Sequence, residues 1–114
     1  MKAVIVGKNI TLSRDVIEAS SIIKRVIGLM FRPSLDCDSS MLINPCNSIH
    51  TCFMKFPIDV IFIDKKNEII KIIRDMKPWR FSSINFNSKK VLELNAGAVG
   101  ETVEIGDKLE FVDV

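Results

Sequence analysis

Cysteine is scarce and carries no pairing pattern: the 114-residue chain holds three, Cys37, Cys46 and Cys52, with no CxxC spacing. An odd number in a chain with no visible export signal excludes a disulfide scaffold and predicts reduced thiols. Long apolar runs are missing too. At the N-terminus only residues 3–6 are uninterrupted, too short for a signal-peptide core. No run approaches the roughly 18 residues that a spanning helix requires. The expectation is a cytoplasmic protein without a membrane span. There is no internal repeat or low-complexity tract. Histidine occurs once, as His50.

What remains is ordinary globular composition, 47% hydrophobic with a net charge of +2. The length predicts a single domain over residues 1–114, able to bury roughly two-thirds of its unfolded surface. Charge is uneven: residues 1–90 carry 15 basic and 8 acidic groups, residues 91–114 carry 1 and 6. The first part is therefore +7 and the last −5, which predicts either two opposed faces or an acidic terminus folded back onto a basic face.

Strand composition recurs along the chain. Residues 2–6 and 14–19 flank a Gly7-Lys8-Asn9 turn and predict an opening hairpin, with residues 10–12 assignable to either arm. Ser20 or Ser21 supplies an N-cap, and Ile22, Ile23, Val26, Ile27 and Met30 recur near helical spacing, predicting a helix over 21–30 that docks its apolar stripe on the core. Gly28 marks a close approach or the helix end. Further strands are predicted at 41–43, 49–52, 58–63, 68–74, 91–94 and 108–112, with a hairpin through the polar turn at 64–67. Residues 75–90, containing Pro78 and many Ser and Asn, predict a long surface connection. The fold class is mainly β: a β-sandwich or partly open barrel with one capping helix.

Four segments carry more identity than packing requires: RVIGLMFRPSL at 25–35, IHTCFMKFPIDVIFID at 49–64, KPWR at 77–80 and VLELNAG at 91–97. In this order they resemble the motifs of the domain of unknown function 192, also known as uncharacterised protein family 0127, across residues 10–112. Cys52 and Asn95 depart from that pattern, where relatives usually have Phe and Pro. The resemblance implies a small β-rich single domain and no particular substrate; some relatives carry an export signal.

Several constellations could carry chemistry. Cys46, His50 and Cys52, with Cys37 or Asp36 as a fourth group, are potential zinc ligands. Their spacing lacks paired CxxC units, so no metal or other cofactor is expected, and buried free thiols explain them more simply. A nucleophilic cysteine with His50 as base lacks any local signature. Arg25, Arg32, Lys55, Lys77 and Arg80 come from separate motifs and together suit a carboxylate or phosphate, with Trp79 as a contact face. Alternatively Arg25 and Arg32 pair internally with Asp59 or Glu93. Trp79, Phe81 and Phe86 have the composition of a stacking surface, but the small charge disfavours nucleic acid.

The sequence thus predicts a non-enzymatic binding or accessory module for an anionic small molecule or protein partner. Its candidate site comprises Arg25, Arg32, His50, Thr51, Lys55, Asp59, Trp79 and Arg80. The competing reading is a metal-independent hydrolase using His50 with Asp59 or Glu93.

Overall fold

The computed structural model describes residues 1–19 and 21–113. The opening turn forms where glycine is needed: Gly7 has φ +81, a left-handed conformation that costs other residues more. It joins β1 (Lys2–Ile5) to β2 (Ile10–Ser13), and β1 pairs on its other edge with β8 (Leu109–Val112), giving a three-stranded antiparallel sheet. Alternation along β1 buries Ala3 and Ile5.

The hairpin is as predicted, but its second arm is 10–13. Residues 14–19 instead supply β3 (Asp15–Ala19), which pairs in parallel with β4 (Ser39–Ile43) in a second sheet. The backbone N–H groups of Arg14 and Asp15 both donate to the Asp38 carbonyl, and the buried Ser40 hydroxyl donates to that of Ser13. These bonds turn the chain out of the hairpin and start the new pairing.

The second sheet has the order β3, β4, β7 (Lys90–Asn95), β5 (Ile58–Ile63) and β6 (Ile69–Met76), antiparallel except for β3–β4. All six residues of β5 are buried, as expected for an apolar run covered on both faces. Ile61, Ile63, Leu42, Leu92 and Leu94 face the small sheet together with Ala3, Ile5 and Leu109. Ile58, Val60, Phe62, Met41, Ile43 and Val91 form a second cluster with Leu29, Leu35, Ile49 and Met54. Each fully buried side chain of this size contributes roughly 2 kcal/mol. The β-sandwich reading holds, and no closed barrel forms.

The helix is shorter than its pattern. α1 spans Ile22–Ile27, with the Ser21 side chain accepting from the Lys24 N–H and the Gly28 N–H donating to the Lys24 carbonyl. Ser20, the other candidate cap, lies outside the described residues. The expectation of a core-docked, capping helix is corrected: Ile22, Ile23 and Val26 are 71%, 70% and 61% exposed, and no residue of α1 is buried. Gly28 ends the helix in under two turns, and the docking passes to Leu29, which is 1% exposed. Residues 49–52 are likewise no strand. They make a single bridge, His50 to Phe81, because Thr51 bonds to the 77–81 loop rather than to a ladder. Residues 96–103 form turns.

Candidate functional site

Three of the four motif segments meet at a cavity of about 360 Å³ on the second-cluster face of the large sheet. The end of α1 contributes Arg25, Gly28, Leu29 and Met30; the following rim contributes Pro45, Cys46, Ile49, His50 and Met54; β7 contributes Glu93. Gly28 has φ +49 and ψ −121, and a Cβ there would sit 3.6 Å from Glu93 Oε1. That spacing is ordinary contact, so the backbone conformation rather than crowding calls for glycine here.

Glu93 occupies a strand position whose neighbour Val91 joins the second cluster, so period two aims it at the cavity face. It is 3% exposed, and burial raises its pKa to about 8. At neutral pH it is mostly a neutral acid and can donate a hydrogen bond. Arg25 donates from Nη1 to the Pro45 carbonyl at 3.2 Å, while its buried Nε has no partner among the described residues. His50 accepts the Cys52 N–H at Nδ1, 3.1 Å away, which assigns the proton of a neutral ring to Nε2. An apolar wall with these three donors is suited to an acceptor oxygen.

Thr51 is fully buried and organises the neighbouring surface. Its hydroxyl donates to the Lys77 carbonyl at 2.6 Å and accepts the Arg80 N–H at 2.9 Å, while its own N–H donates to the Arg80 carbonyl. The KPWR loop is thereby clamped to the His50–Met54 turn. Phe31, Phe53 and Trp79 result as a ridge, with ring centroids 5.3 and 4.7 Å apart. All three have left-handed backbones, φ 66, 62 and 63, a conformation rare for bulky residues and held only where surrounding contacts dictate it. The Phe31 N–H donates to the Phe53 carbonyl and the Trp79 N–H to the Thr51 carbonyl, fixing two of them.

The remaining predicted residues lie elsewhere. Asp59 is 1% exposed, and its carboxylate accepts the N–H groups of Asp75, Gly97 and Val99 at 2.8–3.0 Å. It braces the turn after β7. Asp59 pairs with Leu94 and Glu93 with Val60, so the two carboxylates sit on opposite faces of the sheet and cannot divide acid and base duties at one bond. Arg32, Lys55 and Arg80 are exposed and outside the cavity.

The expected pairing of Arg25 or Arg32 with Asp59 or Glu93 does not form. Among the described residues the ion pairs are Lys8–Asp107 and Lys77–Asp75. Asp59 is instead satisfied by backbone donors. Nor do three groups of the His, Cys, Asp and Glu type converge on a metal position among those residues. The Cys46 thiol donates to the Ser48 carbonyl, and burial pushes its pKa up, away from thiolate reactivity. Of the residues proposed from the sequence, Arg25 and His50 line this one cavity. Sequence reasoning missed Gly28, Met30, Cys46 and Met54, although all but Cys46 stood inside the quoted motifs.

Fold and cavity together define a small two-sheet β-rich domain whose motif segments gather at one face of the larger sheet. The chain belongs to the family DUF192, described as "Uncharacterized ACR", which it matches over residues 4–111. A UPF0127 protein of Pyrococcus furiosus is 36% identical over 92% of this chain and 91% of its own length. A UPF0127 protein of Pyrococcus horikoshii is 32% identical over 92% and 94%. Among solved structures, a protein of unknown function from Novosphingobium aromaticivorans has TM-score 0.85 at 22% identity, covering 97% of this chain and 84% of that one. A Sinorhizobium meliloti protein, provisionally assigned as a transcription regulator, has TM-score 0.77 at 28% identity, covering 96% and 89%.

Proposed function

We propose that the protein is a binding module whose cavity takes a small organic acid with an apolar body. One observation carries this reading: segments distant in sequence converge on an apolar-walled cavity whose polar groups include two donors, Arg25 Nε and the neutral Glu93 carboxyl. A carboxylate or phosphate oxygen satisfies them, and the Ile49, Met30 and Met54 walls take the apolar part. The volume lies at the small end of ligand pockets, which run roughly 300–1,000 Å³. The notion of an anionic ligand is thus retained but narrowed. Of the proposed residues, Arg25 and His50 touch it directly; Thr51 and Trp79 shape the surface beside it.

Thermal shift with a panel of short carboxylic acids and organic phosphates tests this. Stabilisation by one class should disappear in Arg25→Met. A folded Arg25→Met protein that keeps the full shift removes the arginine from the site. Because Glu93 ionises as pH rises through about 8, acid binding should weaken there in the wild type and persist in Glu93→Gln.

A second reading, hydrolysis, is favoured by one feature: His50 and Glu93 share the cavity, and a carboxyl with pKa about 8 can act as a general acid. Asp59 has no part in it. Ester turnover that survives in both His50→Gln and Glu93→Gln rejects this reading.

A further inference from the structure

Among the described residues, twelve large apolar side chains are exposed, and ten of them fall within residues 21–35, 44–58 and 77–92. These three segments contain eight lysines and arginines and no aspartate or glutamate. They also meet in space. Phe53 stacks against both Phe31 and Trp79; Arg25 donates to the Pro45 carbonyl; and the Asn85 N–H donates to the Asn47 carbonyl at 2.8 Å. One face therefore combines outward-pointing isoleucines and aromatics with positive charge. Three acids beside it take little of that charge: Asp75 pairs with Lys77, Glu18 lies beside Lys90, and Glu93 is buried and mostly protonated at neutral pH.

Apolar faces of this kind mark an interaction surface, because monomeric proteins seldom leave them uncovered. The composition selects the partner. The chain's net charge of only +2 disfavours nucleic acid, despite the exposed aromatics. Phe81 and Phe86 project from the 77–89 loop at 77% and 86% exposure. Such side chains can enter a fluid apolar phase without a shaped counterpart, and tryptophan and basic residues favour its headgroup boundary. We propose that this face docks onto the surface of a bilayer containing anionic phospholipid, with the aromatic tips and α1 inserted shallowly and the basic residues among the headgroups. No helix among the described residues is long and apolar enough to cross a membrane, so the attachment is peripheral. The face adjoins the cavity and shares Ile22, Arg25, Val26 and Ile27 with its lining, whereas Phe81 and Phe86 lie outside that lining and test the surface separately.

Flotation with phosphatidylcholine vesicles, with and without a one-third fraction of phosphatidylserine, tests it. The protein should float with the anionic vesicles, release as salt is raised, and stay in solution with phosphatidylcholine alone. The double variant Phe81→Ser, Phe86→Ser, whose loop tips are exposed and can change without disturbing the core, should bind roughly tenfold or more weakly. Its circular dichroism and melting confirm folding. No flotation of the wild type at low salt overturns the proposal, as does undiminished flotation of the folded double variant. A dimer in sedimentation that the double variant abolishes, without any vesicle binding, assigns the face to a second copy of the chain instead.

Discussion

Glu93 is an acid kept neutral by its surroundings, and this has a thermodynamic signature. In the folded chain it holds its proton up to about pH 8, whereas the ordinary value is 4.5. Between those values the folded state binds the extra proton, so the stabilisation is complete below 4.5 and is lost as pH rises towards 8. Melting temperature should therefore decline across that window, and Glu93→Gln should flatten the decline. A wild-type profile no steeper than the variant's would show that Glu93 ionises normally in the fold. Asp59 is buried as well, and its carboxyl oxygens accept three backbone N–H groups. Asp59→Ala leaves those N–H groups without an acceptor, at about 1–3 kcal/mol for each that water cannot reach. Urea titration should show a loss of about 3 kcal/mol or more; a loss below about 1 kcal/mol would mean that the turn rearranges to satisfy them.

At the scale of elements, short segments with unusual backbones do the positioning. Gly28 closes α1 with φ +49 and ψ −121, a combination that side chains disfavour. Gly28→Ala should destabilise the protein by about 1–3 kcal/mol and move the helix end relative to Glu93, which a thermal melt and ligand titration would register. Thr51 acts across a larger distance in sequence, joining the 50–54 turn to the 77–81 loop through its hydroxyl. Thr51→Val keeps the shape and removes both bonds. Hydrogen exchange at the Trp79 and Arg80 amides should accelerate while exchange in β5 and β7 stays slow, because the loop opens locally without unfolding the sheet. Equal protection in the variant would show that the backbone bonds alone hold the loop.

At the scale of the whole molecule, the larger sheet separates two environments by burying both faces. One face meets the small sheet and supplies an uninterrupted apolar core. The other is covered by loops, and there the cavity and the basic, aromatic surface lie. The acidic C-terminal part does not fold over that surface: β8 pairs with β1 in the small sheet, while Asp107 bonds Lys8. Its joining role is mechanical. The Leu109 N–H donates to the Asn67 carbonyl, the Ile69 N–H donates to the Asp107 carbonyl, and Leu109 itself is 1% exposed in the shared core. Leu109→Ala should cost about 2–5 kcal/mol in a single cooperative transition by fluorescence and circular dichroism. Separate transitions by the two probes would mean that the sheets unfold independently.

Much was legible in the chain because it depends on local chemistry. The run at 58–63 is buried whichever way the sheet is assembled, so its apolarity alone fixed it as a core strand. Gly7 and the polar turn at 64–67 announced chain reversals by their backbone preferences. Four ordered motifs identified the family. Helical spacing over 21–30, by contrast, misled: periodicity reports which side chains share a face, not whether anything covers that face, and here α1 stops at Gly28 with its isoleucines in solvent. Asp59 and Glu93 looked equivalent because both are acids within apolar strands. Register alone decided that one faces the inter-sheet core and accepts backbone N–H groups while the other faces the cavity and keeps its proton. The sequence by itself determined the strands, the turns and the family, all set by neighbours along the chain. Only the tertiary structure decided which polar groups were desolvated together, since electrostatics and solvent exclusion depend on distances across the fold.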